Sequence, residues 1–276
     1  MSKPEWLQDL EARSGGRTVL LVEGNVDTGI LAHFLTQISP GWDARIVLLP
    51  ARFKSRVIEA IRDYHHEWAG IVDIDEWSPD DVQKELENAT RIKTLPRFCL
   101  ENYFCVPEEL WNALPPVQRQ AIDNDPHRLA RPILEQLPDW VAHGAMWRVI
   151  RGRRRGLLHE SGFPAKLDRT PVTDLIEIRA ILTAWHEQLD PEQIIGEYRE
   201  ELKKAQRLTP DEQLKRYIHG KKFFKQVITH TLNELFGQPT TCTWLQRLSR
   251  PDHEVAIPAD LREFLTDMLA SLGQFP

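Results

Sequence analysis

Residues 19–27 read Val-Leu-Leu-Val-Glu-Gly-Asn-Val-Asp, and their reading decides the fold. Val19 to Val22 form a short, wholly apolar run of the kind that suits a strand buried on both faces. The run stops at Glu23, and Gly24 allows the backbone to turn sharply there. Asp27 then opens a helical pattern in which Ile30, Leu31, Phe34, Leu35 and Ile38 fall on one side. Working outward, the same alternation continues. Strands are expected at Arg45–Leu49, Gly70–Ile74 and Arg97–Leu100, with helices around Val57, Ile58 and Ile61 and over Pro79–Asn88. Strand and helix in alternation imply parallel strands joined by helical crossovers, an α/β fold with a parallel sheet flanked by helices.

Beyond Pro107 the strand signal fades. Helices are expected at Pro126–Leu137, Pro171–Leu189, Pro191–Gln206, Lys221–Phe236 and Pro258–Leu272, several opening on a proline that suits a first helical turn. The reading is an α/β domain over residues 1–112 and a mainly helical domain over 113–276. The formal net charge of −6 excludes a protein that coats nucleic acid non-specifically, so any such contact must come from a local patch. Three cysteines, Cys99, Cys105 and Cys242, lack zinc spacing and suit a reduced, cytoplasmic setting. The first sixteen residues carry no apolar signal core, and no apolar run approaches the ~18 residues that span a bilayer. No Gly-Lys-Ser/Thr phosphate loop and no His-Glu-x-x-His pattern is present, so the chain is not expected to carry its own ATPase or a zinc-protease site.

In a parallel α/β sheet, ligands bind beyond the carboxyl ends of the strands. Glu23 stands at one such end, and Ile71-Val72-Asp73-Ile74-Asp75 places two more acids at another. In an extended backbone Asp73 and Asp75 point to the same side. In a 2-1-3 strand order all three carboxylates converge, and a hard divalent cation, Mg2+ or Mn2+, would relieve their repulsion. Two blander readings stand beside this one: Asp27 as a helix cap, and the Asp-x-Asp pair as a solvated loop.

VLLVEGNVD, IVDID and Leu100-Glu-Asn-Tyr-Phe-Cys-Val-Pro-Glu-Glu-Leu110 together resemble the Toprim fold of the OLD-type nucleases. The likeness is to the branch with a Glu-Asn-Tyr motif, which includes the Toprim effector of the PARIS anti-phage defence system. It covers roughly residues 17–110, with a weaker echo in His219-Gly-Lys-Lys222. The resemblance implies a magnesium-dependent endonuclease acting on DNA or on structured RNA such as tRNA, working as a homodimer under an ABC-type ATPase partner. It implies that Glu23 is a general acid/base or metal ligand and that Asp73 and Asp75 hold the metal. Asp27 falls at an acidic position near the metal, and Glu101 either completes the cluster or serves a structural role with Asn102 and Tyr103. Lys221, at the start of an expected helix, is placed to reach the scissile phosphate, with Lys222 beside it; a solvated helix start is the alternative. None of Tyr64, Tyr103, Tyr198 and Tyr217 stands out as a nucleophile, which favours hydrolysis over strand passage.

Arg148-Val-Ile-Arg151-Gly-Arg153-Arg154-Arg155 holds five arginines in eight residues. Such a cluster suits phosphate contacts or a solvated segment paired with acidic neighbours. Trp140 and Trp147 nearby suit base stacking or burial. The competing functions are a non-catalytic module of the same fold that docks an ATPase or senses a phage protein, and a primase-like nucleotidyl transferase.

Overall fold

The computed structural model describes residues 3–75, 77–159, 175–240, 242–249 and 256–273. It holds one four-stranded sheet, all parallel, in the order β2-β1-β3-β4. The strands are β1 (Thr18–Val22), β2 (Ile46–Pro50), β3 (Ala69–Val72) and β4 (Ile92–Thr94). β1 lies between β2 and β3, with Leu20 opposite Leu48 on one side and Ala69 on the other. Val19 to Val22 are all buried, as expected of a central strand covered on both faces.

One helix precedes β1, and one follows each of β1, β2 and β3. They are α1 (Glu5–Ser14), α2 (Asn25–Ile38), α3 (Lys54–Glu59, continued by a π-helical segment Ala60–Tyr64) and α4 (Pro79–Glu85). Ile30, Leu31, Phe34 and Leu35 of α2 are buried, the stripe the helical spacing predicts. Leu7 and Leu10 of α1 join Val19, Leu21, Val57, Ile61 and Trp68 in one apolar cluster. Mainly helical structure follows: α5 (Pro107–Ala113), α6 (Pro116–Ala121), α7 (Pro126–His159), α8 (Leu175–Gln188), α9 (Pro191–Gln206), α10 (Pro210–Arg216) and α11 (Gly220–Phe223). A π-helical segment, Phe224–Ile228, runs on from α11 into α12 (Thr229–Phe236), before α13 (Trp244–Leu248) and α14 (Ala259–Ser271). Among the described residues no helix is long and apolar enough to cross a membrane.

Three expectations need correction. The fourth strand is Ile92–Thr94, earlier than Arg97–Leu100, and residues Leu100–Phe104 form a 3-10 turn. The third strand ends at Val72, so Asp73 and Asp75 lie in the loop beyond it, and Asp75 takes a left-handed backbone with φ 51°. The helix from Pro126 runs on to His159 instead of stopping near Leu137. The first part of the helix expected from Pro171 lies outside the described residues.

Packing divides the chain into two compact units, residues 1–135 with 219–276, and residues 136–218. The expected division at residue 112 follows chain order, whereas the late helices pack with the sheet unit. The reason is visible in Arg97, whose side chain is 2% exposed. Its guanidinium donates to both Glu109 carboxylate oxygens, to both Asp260 oxygens at 2.8 and 2.9 Å, and to Asn102 O at 3.3 Å. It also lies 4.1 Å from the centre of the Tyr103 ring. A buried charge needs such partners, and these fasten α5, the 3-10 turn and α14 to one cation.

In the second unit, Arg153 donates to Glu197 and to Gln188 O, and the Tyr217 hydroxyl donates to Glu201 at 2.8 Å.

Arg97→Ala should lower unfolding free energy by roughly 2–3 kcal/mol, below the range for fully buried pairs because Glu109 and Asp260 are partly exposed. Urea unfolding measures this, and a loss near zero would reduce the cluster to an ordinary surface pairing.

Candidate functional site

Because β1 and β3 are parallel neighbours, the residues that follow them emerge side by side. Glu23, directly after β1, accepts a hydrogen bond through Oε1 from the Asp73 backbone amide at 2.8 Å. Asp73, directly after β3, is buried; its Oδ1 accepts from Leu100 N at 3.3 Å and its Oδ2 from Lys221 Nζ at 2.6 Å. Asp75 Oδ2 accepts from Lys54 Nζ at 2.6 Å. The same ammonium donates to Asp73 O at 2.6 Å and stands 3.9 Å from Glu23 Oε1.

Asp27 and Glu101 close the group. Asp27 occupies the third position of α2, and its Oδ2 accepts from Gly24 N at 2.8 Å. It therefore caps its helix while its buried carboxylate faces the other acids. Gly24 is extended (φ −125°), so it makes no left-handed turn. Glu101, in the 3-10 turn, is buried, and its Oε2 has no hydrogen-bond partner.

The Glu-Asn-Tyr turn is held from both sides. Asn102 Oδ1 accepts from Cys99 N and Sγ, both at 3.0 Å. A Cβ on Gly220 would come within 2.2 Å of that same oxygen and 2.7 Å of Cys99 Sγ. Gly220 thus lets the start of α11 approach the turn, which delivers Lys221 to Asp73. Lys222, next along, is exposed.

The electrostatics follow from crowding acids under partial burial. Burial pushes the Asp73 carboxyl well above its usual range; Lys221 opposes this, while Glu23, Asp75 and Asp27 add to it. Burial likewise raises Glu23 against the pull of Lys54, and raises Asp27 and Glu101 against the pull of Lys221. Burial works against the Lys221 ammonium too, but Asp73 and Glu101 outweigh it and hold its pKa above the ordinary lysine value. Five carboxylates thus face two ammonium groups.

That donor set fits a hard divalent cation in kind: oxygen ligands, excess negative charge and a buried carboxylate oxygen without a partner. Lys54 and Lys221 compete with such a cation for the same oxygens. Accordingly, among the described residues no three acidic, histidine or cysteine side chains stand as a ready ligand group.

The structure brings together Glu23, Asp27, Asp73, Asp75, Glu101 and Lys221. It places Arg148, Arg151 and Arg153 in the second unit. There the Arg148 guanidinium covers the Tyr217 ring at 4.5 Å and donates to Arg216 O, while Arg153 pairs with Glu197. The side chains of Arg154 and Arg155 lie outside the described residues. Trp147 is half-buried, and so is Trp140, which meets His143 edge-on. Of the four tyrosines, Tyr103 keeps its OH buried without a hydrogen-bond partner and burial raises its pKa, while burial with the Glu201 bond pushes Tyr217 up to about 12.

Sequence reasoning missed Lys54. It stands four residues past the end of β2, as the first residue of α3, where a lone lysine carries no pattern to mark it.

No family model matches the chain, and neither the curated proteins nor the solved structures give a match.

Two outcomes follow from this geometry. Gly220→Ala should displace α11 and separate Lys221 from Asp73, with a stability loss of about 1–3 kcal/mol from overpacking; denaturation and the pH titration of Asp73 by NMR check both effects. Glu23, Asp27, Asp73 and Glu101 all have folded pKa values above their unfolded ones. Their protonation therefore favours the folded state, and that contribution is complete below their unfolded pKa values and lost as pH rises through the raised ones. Without added metal, Glu23→Gln should raise the melting temperature at neutral pH and flatten its fall between mildly acidic and neutral pH.

Proposed function

We propose that this chain is a metal-dependent nuclease of the Toprim type, hydrolysing phosphodiester bonds in DNA or in structured RNA such as tRNA. The observation that carries the reading is the junction of Glu23 and Asp73 at adjacent strand ends, inside a buried group of acids with too little positive charge. Bound Mg2+ or Mn2+ supplies polarisation of a phosphoryl oxygen and a water acidified toward neutral pH.

Asp73, Asp75 and Glu101 are the residues to hold the ion. Glu23, with a pKa raised by burial, suits the transfer of a proton from the attacking water. Lys221 presents its ammonium to a phosphate oxygen, with Asp73 as its resting partner. The wider resemblance supports an anti-phage effector acting as a homodimer in the cytoplasm with an ABC-type ATPase. Cys99, Cys105 and Cys242 as free thiols agree with a reducing setting.

A second reading has its own observation. Lys54 and Lys221 already bind Asp75 and Asp73, as expected of a non-catalytic module that keeps the fold to dock a partner. Calorimetric titration with Mg2+ and Mn2+ separates the two, since the module need bind neither.

The nuclease reading predicts cleavage of total RNA or plasmid DNA by the protein with Mg2+, alone or once released by its ATPase partner. Glu23→Ala should reduce the rate about a hundredfold or more with an unchanged circular dichroism spectrum. Undiminished cutting by that variant would falsify the assignment of Glu23.

A further inference from the structure

The loop between β2 and α3 faces two ways. Ala51 N donates to Val22 O at 2.8 Å, which fixes the start of the loop beside the residue that precedes Glu23. Three residues on, Lys54 enters the acidic site. Between them Arg52 and Phe53 turn outward: Arg52 is exposed, and Phe53 keeps 58% of its surface in solvent. Arg52 holds a left-handed backbone, φ 73°, unusual for a residue with a Cβ.

Arg52 borders a groove of about 440 Å³ that is also lined by Arg13, Asn25 and Arg56 together with Glu5 and Asp9 of α1. Asp9 is engaged by Arg13 at 3.3 Å. Arg52 makes no hydrogen bond or ion pair among the described residues. The Arg56 guanidinium lies 5.1 Å from the Trp6 ring centre and 5.2 Å from that of Phe53, with no carboxylate among its described partners. In a chain of net charge −6, two guanidiniums without an acid partner stand beside an exposed phenyl ring. They lie at the carboxyl end of the sheet, where ligands of such folds bind.

We infer that Arg52, Phe53 and Arg56 form a nucleic-acid subsite that receives an unpaired strand at the edge of the acidic site. The guanidiniums take phosphate oxygens. Phe53, prearranged against Arg56, stacks one base, which a base within a duplex cannot offer. Trp6 supports Arg56 from below. The inference rests on the nuclease reading for its purpose and narrows the substrate to single-stranded or looped nucleic acid.

The test is fluorescence anisotropy with a labelled single-stranded oligonucleotide, its duplex counterpart and heparin, all in EDTA so that no cleavage intervenes. Phe53→Ala should weaken single-strand binding roughly five- to a hundredfold and leave duplex and heparin binding unchanged. Arg52→Gly, which suits the left-handed backbone, and Arg56→Ala should each lower the slope of log affinity against log salt by about 0.7. Arg52 and Phe53 are exposed and Arg56 is half-buried, and circular dichroism verifies the fold of each variant.

Wild-type protein that fails to bind the oligonucleotide, or variants that bind it as wild type does, would overturn the inference. So would equal losses of heparin binding in Phe53→Ala, which would show that no base is stacked. The two readings fail separately. Loop variants with weakened binding in a protein that never cuts leave the subsite standing and remove the nuclease. Normal binding by loop variants in a protein that does cut removes the subsite and leaves the nuclease.

Discussion

A single hydrogen bond, from the Asp73 amide to Glu23 Oε1, joins the ends of the two central strands and sets the terms for everything around them. It fixes one carboxylate against the backbone that carries the next. Once these two are adjacent and shielded from water, the surroundings must supply positive charge or tolerate protonation. The structure does some of each. Lys54 and Lys221 arrive from separate parts of the chain, and the remaining acids are left with elevated pKa values. A site of this kind is costly to the fold, because buried acids must be either paired or protonated.

The supports of the site are better packed than the site itself. Asn102 is clasped between Cys99 and Gly220, and Arg97 gathers Glu109, Asp260 and the Asn102 carbonyl under the Tyr103 ring. The Glu-Asn-Tyr turn is therefore a bracket as much as a donor. Its asparagine and tyrosine lock the turn, leaving Glu101 as the member that faces the acids.

Much of the sheet was legible because buried central strands leave an unmistakable apolar run, as Val19–Val22 does. β4 was not: Ile92-Lys-Thr94 is too short and polar to register, and only its ladder with Gly70, Ile71 and Val72 defines it. Convergence of Glu23 and Asp73 was legible from strand order alone. The direction of Asp75 was not, since its left-handed backbone breaks the two-residue period on which that reading depended. Lys54 and the role of Arg97 were hidden for a common reason. A lone basic residue carries no pattern, and its importance comes from which acids the fold brings to it.

The contributors to the acidic centre are spread widely along the chain, from Glu23 to Lys221, with Asp260 bracing the turn that carries Glu101. Synthesis proceeds from the amino end, and domains assemble as their parts emerge. A growing chain on the ribosome would display Glu23, Asp73 and Asp75 long before the lysine that pairs with Asp73 or the helix that anchors Arg97 exists. The centre therefore matures late: a chain that ends early carries the crowded acids without the lysine that pairs with Asp73 or the carboxylate of Asp260 that braces Arg97.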